Sequence, residues 1–227
     1  SGYNGTSDSW GRRMGIGDSK YFAEYNFYTW DMDPNNFGFA RWTGSDWTGW
    51  DDWDPYLYTA HSDYGWEMLI PYSAFDDFEL DTWSKISFAF WYAGGDNSSA
   101  VDVAPNDIAV SPNNPAEWTD TDIISTFIEL DLETTAIAQS LTADGDKSDW
   151  PSNAQAITDG DDPANNFADF FNMSVTASAQ GIGILLEGEF NGTLSDYAAG
   201  WQLGIDVDQF PSSGTNESWT WFGGTLG

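Results

Sequence analysis

Cysteine is absent from the 227 residues. That excludes a disulfide framework, a thiolate zinc site and a cysteine nucleophile. A chain of this length can bury a core without such staples. Basic side chains are scarce: Lys and Arg total 6 against 37 Asp and Glu, a formal net charge of −31. A field of that sign repels phosphate backbones and anionic lipid headgroups, so nucleic acid is excluded as a partner. No apolar run approaches the roughly 20 residues of a membrane helix, and no membrane insertion is expected. Histidine occurs once, as His61 between Ala60 and Ser62. No Gly-x-Ser-x-Gly elbow is present. With carboxylates everywhere, a catalytic pair of them has no distinguishing signal, and the chain is expected not to be an enzyme.

What is abundant is aromatic: 14 Trp, 10 Tyr and 15 Phe. That load is incompatible with a solvated acidic tail and points to a folded chain with an acidic skin. Short segments of β-forming residues recur along the sequence. They are 21–30, Gly65–Ile70, Lys85–Tyr92, Phe127–Leu132, Met173–Ala177, Gly183–Phe190 and Trp201–Val207. Turn-rich clusters separate them, at 31–36, 94–98 and 211–214. Pro71–Phe75 reads as a short helical turn after a strand. No long stretch carries a 3.6-residue apolar period. The expected fold is all-β, an antiparallel β-sandwich of jelly-roll-like kind.

A change of texture falls at 134–143, read as a linker or connecting strand. Directly after it, Asp144-Gly145-Asp146-Lys147-Ser148-Asp149-Trp150 resembles the opening of family 9 carbohydrate-binding modules and related DOMON-like sandwiches. The acidic stretch Ile157 to Asp162, with Asp169, and the segment Gly204 to Gln209 resemble later parts of that pattern. The pattern then continues at the start of the chain. Residues 21–30 are similar to the family's next strand, Trp66-Glu67-Met68-Leu69-Ile70-Pro71-Tyr72-Ser73-Ala74-Phe75 to its strand and turn, Ile86–Tyr92 to the following core strand, and Asp102–Pro105 with 117–132 to its closing loop and last strand. Thus 144–227 resembles the N-terminal half of such a sandwich and 1–133 its C-terminal half, in permuted order. Three arrangements fit: a permuted single domain, a repeat excised from a tandem array, or halves completed by a neighbouring subunit. The last leaves unpaired edges that another copy must cover.

Calcium is the cofactor that the acidic loops suggest. It takes oxygen ligands in flexible geometry, and Asp144, Asp146 and Asp149, with Asp159, Asp161 and Asp169, are spaced within loops of the kind that hold it in the resembled family. Asp206 and Asp208 share one side of a strand pattern. Trp42, Trp47, Trp50 and Trp53 form an aromatic cluster suited either to stacking on sugar rings or to a subunit interface. Sequons at Asn4, Asn97, Asn172, Asn191 and Asn216 suggest a glycoprotein. Together these features lead to an expected location outside the cell or on its surface. The expected function is that of a non-catalytic structural subunit or repeat of a filament, sheath or surface layer, partnered by copies of itself through strand complementation and calcium. The alternative is a carbohydrate-binding module of a secreted polysaccharide-degrading enzyme, with polysaccharide as partner.

Overall fold

The computed structural model describes residues 14–16, 24–29, 37–41, 58–62, 65–75, 85–93, 100–106, 122–132, 140–159, 169–189 and 200–206. Thirteen strands lie among them: β1 (Met14–Ile16), β2 (Tyr25–Thr29), β3 (Phe37–Arg41), β4 (Tyr58–Ser62), β5 (Gly65–Pro71), β6 (Lys85–Ala93), β7 (Ala100–Ala104), β8 (Asp122–Ile124), β9 (Ile128–Asp131), β10 (Gln155–Thr158), β11 (Asp169–Ala177), β12 (Gly181–Glu189) and β13 (Gly200–Asp206). The only helical elements among the described residues are two 3-10 turns, Tyr72–Ala74 and Lys147–Asp149. The fold is all-β, and the turn expected at Pro71–Phe75 is the first of these.

Two antiparallel sheets carry the core. One runs β10-β11-β12-β5-β4, the other β3-β2-β13-β6-β7, with β9 pairing the other end of the β7 edge of β6. A short pair, β1 with β8, is parallel and departs from the antiparallel expectation. A strand's side chains alternate between faces, so a period-2 apolar pattern turns one face inward. Trp66, Met68 and Ile70 of β5, Met173 and Val175 of β11, and Ile182, Ile184 and Leu186 of β12 do so in the first sheet. Tyr25 and Phe27 of β2, Ile86, Phe88 and Phe90 of β6, Ile128 and Leu130 of β9, and Leu203 and Ile205 of β13 do so in the second. All belong to one buried cluster, the shared core of a sandwich. Each such side chain contributes about 1.5–3 kcal/mol by leaving water.

The two sequence segments interlock. β13, from the C-terminal segment, lies between β2 and β6 of the N-terminal one. β12 pairs with β5 over seven residues, Gly181–Glu187 against Gly65–Pro71. Gly181 is required there: a Cβ on it would lie 2.1 Å from the Ile70 carbonyl oxygen. The β11–β12 turn is closed by Ser178, whose Oγ accepts the N–H groups of Gln180 and Gly181. The Tyr72 hydroxyl buttresses it by donating to the Ser178 carbonyl at 2.8 Å, and burial pushes this phenol up to about 12.

Candidate functional site

The outward face of β5 and β12 carries a feature that the strand pattern alone does not explain. Glu67 sits between Trp66 and Met68, both core residues, and so projects away from the core. It is nevertheless only 1% exposed. What buries it is the loop 140–150, which crosses this face.

The loop's shape follows from its sequence, residue by residue. Asp144 Oδ1 accepts the N–H of Asp146 at 2.8 Å, an Asx turn. Gly145 between them has φ of 84°, a conformation that glycine adopts without steric cost. Asp146 caps the 3-10 turn Lys147–Asp149, its Oδ1 accepting the Ser148 N–H at 2.9 Å. Asp149 Oδ2 accepts the Thr142 N–H at 2.8 Å and closes the loop on itself. Trp150 ends it, its N–H donating to the Lys147 carbonyl.

So folded, the loop presents three donors to Glu67. The Asp144 and Gly145 N–H groups donate to Oε2 at 3.0 and 2.9 Å, and the Trp150 indole N–H donates to Oε1 at 2.6 Å. Leu141, 1% exposed, lies against Gly183 of β12, where an added Cβ would come within 2.2 Å of its Cδ2. The Leu141 N–H donates to Gln180 Oε1 at 3.3 Å. At the outer margin the Lys147 ammonium donates to the Glu187 carboxylate, both partly exposed. A pair that open to water contributes about 0–1 kcal/mol.

Burial raises the Glu67 carboxyl above its ordinary value of 4.5; the three donors work against the shift and the nearby Asp149 charge adds to it. Loss of water around the charge is the larger effect. The sign of the linkage follows. Between 4.5 and the raised value the folded chain holds a proton that the unfolded chain has lost. This group's contribution is therefore most favourable at and below pH 4.5 and declines as pH rises through its folded value. Melting temperatures of wild type and Glu67→Gln across pH 4–8 are expected to show that decline in the wild type, with the component missing from the variant. Parallel profiles would mean that Glu67 titrates as it does in the unfolded chain.

Between loop and sheet is an open cleft of about 370 Å³, lined by Gly65, Glu67, Gly145, Asp146, Lys147, Leu185 and Glu187. Its volume falls in the range of about 300–1,000 Å³ typical of small-molecule sites, which are mostly apolar and aromatic. Among the described residues that line it, four are charged, Leu185 has the one apolar side chain, and none is aromatic.

The acidic residues singled out in the sequence are thus placed as follows. Asp144, Asp146 and Asp149 share the loop, and each has a carboxylate oxygen accepting a backbone N–H. Among the described residues no three His, Cys, Asp or Glu gather in a way that holds a metal ion. Asp159 follows β10, is buried, and its N–H donates to the Phe171 carbonyl at 2.7 Å. Asp169 opens β11 in register with Glu189, and Asp206 ends β13 in register with Ser87. Asp161 and Asp208 lie outside the described residues, as do Trp42, Trp47, Trp50 and Trp53 and the sequons at Asn4, Asn97, Asn191 and Asn216. Asn172 is half-buried in β11, between Thr158 and Glu187 in register. His61 lies in β4, opposite Trp66.

Glu67 is the residue that sequence reasoning passed over. Its signal was a single charge inside the run Gly65-Trp-Glu-Met-Leu-Ile70, on the same side of the strand as Leu69. Comparison of the chain with protein-family models, curated proteins and solved structures found no match.

Proposed function

We propose that the chain is a non-catalytic structural subunit or repeat of an extracellular filament, sheath or surface layer, and that its copies associate by exchanging complementary strands. The interlocking of its two segments supports this reading. β13 fills the place between β2 and β6, and β12 extends the sheet at β5, so each segment alone leaves unpaired ladder edges. The ladders formed within one chain are chemically the same as those a second copy would form. The role of Glu67 adds to the reading: its oxygens are occupied by loop donors, which suits a fastening rather than a general base. A surface location rests on the sequons, and a cation partner on the charge.

Sedimentation velocity on the full chain, from micromolar to millimolar concentration, tests the proposal. Species larger than the monomer are expected to grow with concentration. A monodisperse monomer throughout would overturn it. The same samples separate the two origins of cation dependence. Screening of −31 charges is expected to raise the melting temperature with salt, since the Debye length falls from about 30 Å at 0.01 M to about 3 Å at 1 M. At matched ionic strength, a further rise or larger assemblies with calcium would mark a specific site. Equality of the calcium and sodium curves would assign the cation effect to screening alone.

A further inference from the structure

We propose that residues 140–150 form a latch that opens and recloses while the five-stranded sheet beneath stays paired, and that this motion moves one wall of the cleft. Gly145, Asp146 and Lys147 form the latch side of that cleft, and Gly65, Glu67, Leu185 and Glu187 the sheet side. The inference concerns the way the loop is attached and stands whether or not the chain assembles.

Among the described residues the loop has no strand ladder to the sheet. Its polar attachments are the three donors on Glu67, the Leu141 N–H on Gln180 and the Lys147–Glu187 pair. Among the described residues its apolar attachment is Leu141 over Gly183, with Trp150 beside it. Thr142, Asp144 and residues 146–149 are exposed. Few buried apolar contacts and hydrogen bonds near solvent are the marks of a segment that opens below the global unfolding free energy. β12 is the opposite case, hydrogen-bonded to β11 on one side and β5 on the other. The main fastener is also a costly one, because it holds a carboxylate away from water with Asp149 nearby. The loop's own bonds, Asp144 with Asp146, Asp146 with Ser148 and Asp149 with Thr142, involve no sheet residue. They can persist as the latch lifts, so it moves as a unit.

Native-state amide hydrogen exchange on the full chain, read residue by residue by NMR at several low denaturant concentrations, tests this. The Asp144 and Gly145 amides are expected to be protected, yet to exchange at least roughly tenfold faster than amides 182–186, with little denaturant dependence. Glu67→Gln weakens bonds that the latch-open and the unfolded chain both lack, so it is expected to speed exchange at Asp144, Gly145 and 182–186 by a common factor of about ten, while the denaturant slope at Asp144 and Gly145 stays low. The proposal is overturned if Asp144 and Gly145 share the rate and denaturant slope of 182–186, since the loop then opens only with the sheet. It is equally overturned if they exchange as fast as an unstructured chain, or if Glu67→Gln leaves Asp144 and Gly145 at their wild-type rates. Should the variant fail to fold, the wild-type denaturant slopes decide.

Discussion

Replacing Phe88 by alanine is expected to lower the unfolding free energy by about 3–5 kcal/mol, a large share of the roughly 5–15 kcal/mol of a typical domain. Phe88 is fully buried. In register it lies between Ile205 of β13 and Ile128 of β9, so the deletion empties a position where both sequence segments meet. The surrounding side chains belong to two hydrogen-bonded sheets and can collapse into the space only in part, which adds a cavity term to the lost transfer energy. Urea unfolding measures it, with Ser148→Ala as control. Ser148 is exposed and contributes only its backbone N–H, so the control is expected to stay within about 0.5 kcal/mol of wild type. A Phe88→Ala loss below about 1.5 kcal/mol would contradict the packing of β6 between these neighbours.

Replacing Glu67 by alanine is the second large effect, expected at about 3 kcal/mol. The change removes the acceptor for the Asp144 and Gly145 amides and the Trp150 indole at once. A donor left buried without an acceptor costs about 1–3 kcal/mol. The sum is reduced because the carboxylate no longer loses its hydration, and because the open cleft lets water reach part of the loop. Glutamine is expected to fall between glutamate and alanine: it keeps one carbonyl acceptor but turns an N–H₂ group toward other donors. Trp150→Phe removes a single donor and is expected to cost about 1 kcal/mol. The two positions share a hydrogen bond, so a double-mutant cycle of Glu67→Ala with Trp150→Phe should show coupling of about 0.5–3 kcal/mol. Additivity of the two losses would show that they act separately.

These two positions differ in how far the sequence revealed them. Phe88 belongs to Lys85-Ile-Ser-Phe-Ala-Phe-Trp-Tyr92, whose alternation marks a strand and an inward face before any partner is known. The boundaries of β5, β6, β9 and β13 fall within a residue of those the pattern suggests. The short strands β1, β3, β4, β7, β8 and β10 do not stand out in the sequence, because three to five residues hold too few alternations to rise above the turn-rich background. Glu67 shows the opposite case. In the sequence it is one acid among 37, and its one local mark, a place inside the apolar run Gly65–Ile70, carries no sign of what would bind it. The Asp144–Trp150 stretch is visible as a motif, and its spacing carries no sign of its sheet partner. In the fold each of Asp144, Asp146 and Asp149 has an oxygen bonded to a loop amide, and the loop's donors turn to an acid 77 residues away.

The sequence by itself determined the all-β class, most of the long strands and their inward faces. Each of those depends on neighbours two residues apart along one strand, where side-chain direction is fixed by the pleat. Only the tertiary structure decided that β13 enters between β2 and β6, that β12 lies against β5, and that Glu67 anchors the loop. Those outcomes depend on pairing between segments more than a hundred residues apart, or on a loop laid across a finished sheet. Period-2 alternation says which face is apolar but carries no label for the partner strand.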